Sequence, residues 1–521
     1  MSPWKTQLSG SIPYIFKRSL AKSRIDVGVF PPCQQTTADR ADRSSVGHVT
    51  IDMLPDDALL ETFNFYLVGK SKISSPEAWR TLVHVCRKWR YVVFGSPRHL
   101  NLRLLCTTRR RVREMLNVWP ALPRVIRDNT RKRRNAVSSS SRVDGADNIA
   151  TALEHNDRVC EITFDRVTNS LLERFPSVTQ QPFPALTHLH ITQWPTDNPA
   201  AVLPEAFLGG SAPRLQSCIL QGIALPGVQK LLLSATHLVK LRLECVPRSG
   251  YISPDSMAIY LSALPNLEEF YLSFGFVVSR SDLTGERPPP LTRVVLPALT
   301  SFWFQGRSEY IEDLVPRINV PLICFIGIKF PYQPTFDVPR LHDFIARTQE
   351  AKPDNRAAVE FGWDGVYFKT ESLELGILCG PPDLRLSSIA QICNSSLPPF
   401  STLECLQIGE RSYDESDPNA QFRQEIPRWG YNTVENTLWL ELLRAFPAVK
   451  DLFLDKEFQV AKYVAGALKE VVGERVTEVL PALQIIFAEL WTLGPNQAVI
   501  RPFLAARQLS GHPVSVRHWQ R

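Results

Sequence analysis

Residues 265–272 read PNLEEFYL, and this stretch decides the fold. Pro265 leads an apolar residue, Leu267, and then an apolar pair two positions apart, Phe270 and Leu272. Side chains alternate along a strand, so the pair points to one face and Glu269 and Tyr271 point to the other. Proline just ahead of a strand costs no ladder hydrogen bond and restricts the turn into it. The pattern recurs with Pro184 before Leu186, Leu189 and Ile191, and with Pro213 before Leu215, Cys218 and Leu220. It recurs again at Pro297 (Leu299, Phe302, Phe304), Pro321 (Ile323, Ile326, Ile328), Pro447 (Val449, Leu452, Leu454) and Pro481 (Leu483, Ile486, Ala488). Three units lack the proline: Val159/Ile162/Phe164, Leu238/Leu241/Leu243 and Leu403/Leu406/Ile408. A period of about 23 to 34 residues is the signature of a repeat array. Helical patterns precede some strands, over 255–264 and 434–446, so each unit reads as helix, proline, short strand and return loop. The interval from 323 to 403 is wider and holds strand-like runs at 366–368 and 373–378 that read as degenerate units.

This spacing resembles the leucine-rich repeat, L-x-x-L-x-L, without the usual Asn or Cys after the third leucine, which predicts irregular repeats. The residues flanking each inward pair would line the opposite, concave face. They include His188, His190, Lys240, Arg242, Glu244, Glu269, Tyr271, Trp303, Gln305, Lys329, Asp451, Phe453 and Asp455. Exposed aromatics are typical interface anchors, so Tyr271, Trp303 and Phe453, with Arg242 and Lys240, are the candidate client-binding residues; burial under a loop or a C-terminal helix is the alternative. His188 and His190 have no third ligand nearby in sequence, so a solvated strand pair suits them better than a metal site.

Ahead of the array, residues 49–105 read as a compact helical module. Pro55 suits the first position of a helix, and Asp56 and Asp57 suit its positive end. Leu59, Leu60, Phe63, Tyr66 and Leu67 then fall on one helical face, and Gly69 closes it. A second helix is expected from Ser75-Pro76-Glu77 through Trp79, Leu82, Val83, Cys86, Trp89, Arg90 and Val93 to Gly95. Leu54-Pro55 opening a helix, Trp79-x-x-Leu82-Val83-x-Val85-Cys86-x-x-Trp89-Arg90, and Ser96-Pro97 together resemble an F-box. That resemblance implies a small helical bundle of about 50 residues docking on a Skp-family adaptor, which tethers it to a cullin–RING ubiquitin ligase. Leu54, Pro55, Leu59, Val83, Cys86 and Trp89 would form or support the adaptor face. The sequence departs from the family in its long Gly69–Ser75 connection. A bundle this small cannot bury all of Leu54, Leu59, Trp79 and Trp89, so an exposed apolar patch is expected.

The chain has 521 residues, a formal charge of +7 and 41 prolines. The charge is regional: residues 1–150 hold 26 Lys and Arg against 12 Asp and Glu, leaving 33 basic and 40 acidic residues in 151–521. Its densest part runs from Arg103 to Arg134 and includes Arg109-Arg110-Arg111 and Arg131-Lys132-Arg133-Arg134, followed by the serine run 138–141. The tetrabasic run suits nuclear import, a phosphate-binding patch or a solvated linker. It has no interleaved aromatics for stacking on bases, so the net charge does not argue for nucleic acid.

The ten cysteines form no C-x-x-C pair, so zinc-ribbon and thioredoxin-like readings find no support, and their low density fits a reducing compartment. No apolar stretch approaches the roughly 20 residues of a membrane span. Residues 1–25 are basic and acid-free, which is weakly like a mitochondrial presequence, but Pro3 and Pro13 fit a disordered tail better. No hydrolase, zincin, P-loop or dinucleotide-binding motif is present.

The expected organisation is α/β: a disordered N-terminal tail (1–48), a small all-α F-box helical module (49–105), a basic, serine-rich connector (106–149) and an irregular leucine-rich-repeat-like α/β solenoid with a C-terminal cap (150–521). The cap is the last helix, near 498–507, with the tail 514–521 either loose or docked. The implied function is that of a substrate-recognition subunit of a ubiquitin ligase. It would be no enzyme, would use no cofactor or metal and would be cytoplasmic, nuclear or both. The alternatives are a repeat scaffold without ligase assembly and a nucleic-acid-binding protein using the basic connector.

Overall fold

The computed structural model describes residues 51–71, 77–108, 111–128, 140–165, 167, 179–193, 200–224, 226–275, 293–331, 333, 338–349, 355–362, 364–379, 382–394, 402–410, 436–454, 460–471, 473–488 and 490–518. The expected N-terminal tail, Ser75, Pro76, Arg131–Arg134 and Asp455 lie outside them. By contact the chain divides into two units, Met1–Leu54 and Pro55–Arg521. In the first, Ile51–Met53 form a 3-10 turn that Leu54 closes by donating its N–H to the Ile51 carbonyl.

The second unit is built on one 16-stranded sheet. Its strands are β1 Leu104–Thr107, β2 Arg124–Asp128, β3 Val159–Asp165, β4 His188–Thr192, β5 Ser217–Gln221, β6 Lys240–Val246, β7 Glu269–Phe274 and β8 Ser301–Gln305. They continue with β9 Phe325–Pro331, β10 Arg356–Phe361, β11 Gly365–Lys369, β12 Leu373–Leu378, β13 Cys405–Glu410, β14 Asp451–Leu454, β15 Ile485–Ala488 and β16 Ser515–His518. The helices are α1 Asp56–Ser71, α2 Trp79–Val83, α3 Arg87–Gly95, α4 Val112–Val118, α5 Ser140–Leu153, α6 Val228–Ser234 and α7 Pro254–Ser262. They are followed by α8 Ser308–Leu314, α9 Pro339–Gln349, α10 Pro382–Asn394, α11 Asn436–Arg444, α12 Val460–Lys469 and α13 Leu490–Leu509. Neighbouring strands are successive in the chain and parallel from β1 to β9 and again from β13 to β16.

The proline-led pattern explains this stepping. At each of the seven sites, the residue after next donates its N–H to the carbonyl of the residue before the proline, as Leu267 does to Leu264 at 3.3 Å and Leu483 to Leu480 at 3.0 Å. Proline thus sits second in a four-residue turn, the position its fixed φ suits. Beyond the turn, one carbonyl of the preceding repeat accepts two successive N–H groups: Val239 O from Glu268 and Glu269, Glu268 O from Thr300 and Ser301, Thr300 O from Cys324 and Phe325. The inward positions of the ten units are buried, apart from the half-buried Ile323, and all but Ala488 pack with the inward residues of the helices in one core. Each fully buried Leu, Ile or Phe contributes roughly 1.5–3 kcal/mol.

Three expectations need correcting. The basic stretch 106–149 is no connector. It contains α4, β2 and most of α5, and β1 pairs in parallel with β2, which pairs in parallel with β3, so the sheet begins at Leu104. Ile126 is buried in register with the inward Ile162 of β3, Val125 is buried on the opposite face, and Arg124 is buried too, donating to the Ala152 carbonyl at 3.3 Å. The runs 366–368 and 373–378 are not degenerate parallel units. β10, β11 and β12 form an antiparallel meander inserted in reverse, so the sheet order there is β9-β12-β11-β10-β13. At the C-terminus, α13 does not end the array, because residues 515–518 form β16 beside β15.

The helical segment differs from its expected form as well. α1 runs through Gly69 to Ser71. The expected second helix is two helices, α2 and α3, broken at Cys86, whose backbone is extended (φ −154°, ψ 174°) and whose Sγ accepts the Trp89 N–H. A side chain that caps a helix start competes with continuation through that residue. The segment is also no separate body, since it closes the β1 end of the sheet. Glu77 is buried, and its Oε1 accepts the Leu105 N–H at 2.9 Å and pairs with Arg80 at 2.8 Å. Trp79 Nε1 donates to the Arg103 carbonyl at 2.9 Å, and its ring meets Trp119 edge-on at 5.1 Å.

Candidate protein-interaction surfaces

Two surfaces stand out. The first is the sheet face opposite the helices. The parallel register aligns its outward residues into rows that cross the strands, one of which runs His190, Ile219, Arg242, Tyr271, Trp303, Gly327. The same register carries Gln407, Phe453 and Phe487 across the C-terminal strands. At the centre an aromatic floor forms, with Tyr271 and Trp303 centroids 6.3 Å apart and Trp303 and Phe325 4.9 Å apart. The Trp303 ring lies over bare backbone: a Cβ on Gly327 would stand 2.1 Å from its Cε3. Arg242 lies over Tyr271 at 5.6 Å, and Lys329 lies 5.5 Å from Trp303 and 5.6 Å from Tyr367. Ion pairs balance the charges, across strands at Lys240–Glu269 (2.5 Å), Lys329–Glu374 (3.5 Å) and Lys369–Glu360 (2.7 Å) and along one strand at Arg242–Glu244 (3.5 Å). Burial pushes the Tyr271 hydroxyl pKa up, so it stays a neutral donor.

The structure therefore brings Lys240, Arg242, Tyr271 and Trp303 together on neighbouring strands, whereas Phe453 belongs to a second cluster. Its ring stacks on Phe487 at 4.4 Å with planes 3° apart. All five candidates are half-exposed. The aromatics are flanked by ring neighbours in adjacent strands, among them Phe325 and Phe487, which the motif search did not single out. Both occupy outward positions of the repeat, and that alternation was the signal available for them.

The second surface is on α1–α3. The expected adaptor residues divide by burial: Leu59 and Val83 are each 1% exposed, Leu54, Cys86 and Trp89 are half-buried, and Pro55 is exposed. Trp89 packs on Phe63 at 4.7 Å. Trp79, expected among the exposed candidates, is fully buried. The exposed apolar residues are instead Phe65 (84%), Tyr91 (75%), Val68 and Val85. Helical spacing places Phe65 and Val68 off the buried face of α1, a signal present in the sequence but passed over.

The basic run is dispersed. Arg103 and Arg127 share Glu161 at 3.5 and 2.7 Å, Arg111 pairs with Glu114 at 2.9 Å, and Arg124 is buried. The nine described cysteines form no disulfide with one another, and burial raises the pKa of Cys218 to about 12. Among the described residues no helix is long and apolar enough to cross a membrane, and no group of three His, Cys, Asp or Glu could hold a metal ion.

No family model and no curated protein matches the chain. Among solved structures, the leucine-rich repeat-containing protein LegL7 from Legionella pneumophila shares 13% identity over 66% of this chain and 96% of its own, with a TM-score of 0.24. A likeness that slight carries no argument; the class stated here, a mixed α/β repeat protein with a long, mostly parallel sheet, comes from the register and burial above.

Proposed function

We propose that this chain is a non-catalytic recognition subunit that holds two proteins at once. The α1–α3 segment, with Leu54-Pro55 before it, docks on a Skp-family adaptor and through it on a cullin-based ubiquitin ligase. The aromatic floor around Tyr271 and Trp303, flanked by Arg242 and Lys240, holds the client, with Phe453 in a second contact area. Tethering raises the client's effective concentration at the ligase. The observation that carries the reading is the apolar surface of α1–α3. A segment whose core residues Leu59, Phe63, Trp79 and Val83 are all sequestered still leaves Phe65, Val68, Val85 and Tyr91 in solvent, and this many exposed apolar side chains on one short segment are what an interaction site requires. The compartment this implies is the cytoplasm, the nucleus or both.

The experiment is affinity purification of the full chain and of its Leu54→Ala/Pro55→Ala variant. The wild-type chain is expected to retain a Skp-family protein and a cullin, and the double variant to lose both. Equal retention by the two overturns the adaptor assignment. A chain that captures other proteins but no ligase subunit is a scaffold.

A further inference from the structure

The two ends of the sheet are finished differently. At the β1 end, Glu77 and Trp79 occupy backbone groups of Leu105 and Arg103. At the other end, among the described residues, β16 pairs with β15 alone. Ser515 donates its N–H to the Gln484 carbonyl at 2.9 Å. Backbone groups alternate sides along a strand, so Ser515 and Arg517 face β15, and the N–H and C=O of Val516 and His518 face away from it. The inward rows open here too. Val516 continues the row of Leu452 and Ile486, which are buried, but is itself only half-buried, and His518 stands where Leu454 and Ala488 stand in the two preceding strands.

The charge of this end is one-sided. From Leu490 to Arg521 the sequence has four arginines and neither Asp nor Glu. Arg507 is consumed internally, wholly buried and bonded to the carbonyls of Val476, Pro481 and Leu483. Arg501 and Arg517 are exposed, as are His512 and His518.

We infer that this edge accepts an extended acidic segment of another protein, which adds as a strand beside β16. An edge with unpaired N–H and C=O groups is a template for strand addition, and main-chain hydrogen bonds then supply affinity while side chains supply selection. Arg517 makes the selection in both directions. It attracts carboxylates on the incoming strand and repels the same edge of a second copy, because like charges across a strand pair are destabilising. The site is independent of the adaptor reading and stands or falls separately from it.

The test is fluorescence anisotropy on the full chain with a labelled peptide of four Glu-Val repeats. A Lys-Val peptide of the same length and a 20-nucleotide single-stranded DNA serve as comparison probes. The acidic peptide is expected to bind at least tenfold more tightly than either, and to weaken as salt is raised. Val516→Pro removes an outward N–H that no strand of the sheet uses, so it leaves the ladder to β15 intact and is expected to weaken the peptide at least tenfold. Arg517→Glu, a change at an exposed side chain, is expected to reverse the preference between the acidic and basic peptides. Leu54→Ala/Pro55→Ala is expected to leave peptide binding unchanged. Equal binding by wild type and both edge variants overturns strand addition, and tighter binding of the DNA overturns the choice of an acidic protein segment.

Discussion

The regular strands β3–β9 and the inserted strands β10–β12 lie in one sheet but are held in it by different means. In the regular part burial alternates: Ser301–Gln305 reads half-buried, buried, half-buried, buried, half-buried, with Phe302 and Phe304 inward. One apolar face and one outward face per strand suffice, because the next repeat supplies the neighbour. In the insertion β10 still alternates, but burial is continuous in β11 and β12, over Gly365–Phe368 and over Leu373–Ile377. Outward residues there are covered as well: Tyr367 is 2% and Glu374 8% exposed, beneath the Trp303–Lys329 side of the floor. The meander is also fastened by a buried arginine. Arg385 on α10 is fully buried and donates Nε to the Cys379 carbonyl at 2.9 Å and Nη1 to the Gly362 carbonyl at 2.5 Å. It thus ties the end of β10 to the end of β12.

This contrast can be broken from either side. Phe302→Ala removes a wholly buried ring from the regular stack, and a loss of about 4 kcal/mol is expected. Hydrogen exchange should show its effect spreading to β7 and β9, its ladder neighbours. Arg385→Met keeps volume but leaves two carbonyls unpaired, at an expected cost of about 3 kcal/mol. Faster exchange should be confined to residues 356–378, and spreading of the effect through β3–β8 would show that the insertion is no separate mechanical element. Gly327→Ala places a methyl group against the Trp303 ring, which must tilt off the backbone, and a loss of about 1–2 kcal/mol in unfolding free energy is expected, read from a lowered denaturation midpoint.

The smallest effect lies at Asp128, at the end of β2. Burial first, and then Asp165, raise its carboxyl pKa, against a bond with Thr108. The folded chain therefore binds this proton more tightly than the unfolded chain. Its contribution is most favourable below the unfolded carboxylate range and declines as pH rises from there through the raised folded value. Asp128→Asn is expected to increase stability at neutral pH and to flatten that decline in pH-dependent melting. An unchanged profile contradicts the assignment.

The same contrast explains what was legible in the sequence. The ten units announced themselves because proline turns and inward pairs recur, and every inward pair among them is buried. Strands 365–369 and 373–378 carry no leading proline, and their two-sided burial erases the alternation that marks a half-buried strand. Leu104–Thr107 and Arg124–Asp128 were hidden by composition: arginines around them suggested a solvated linker, while Val125, Ile126 and the buried Arg124 belong to the core region. On the candidate surfaces, Tyr271 and Trp303 were legible from alternation. Their neighbour Tyr367 arrives by a three-dimensional register that the sequence does not state. The helix break at Cys86 was not legible, because apolar spacing continues through it while the cap that interrupts it depends on one sulfur position.

The measurement that tests the central claim most directly is quantitative mass spectrometry of proteins retained by the full-length chain from a cell extract, with the Leu54→Ala/Pro55→Ala variant in parallel. The account expects a Skp-family adaptor and a cullin with the wild-type chain and their loss, tenfold or more, with the variant. Absence of both proteins from the wild-type chain, or their full retention by the variant, would contradict it.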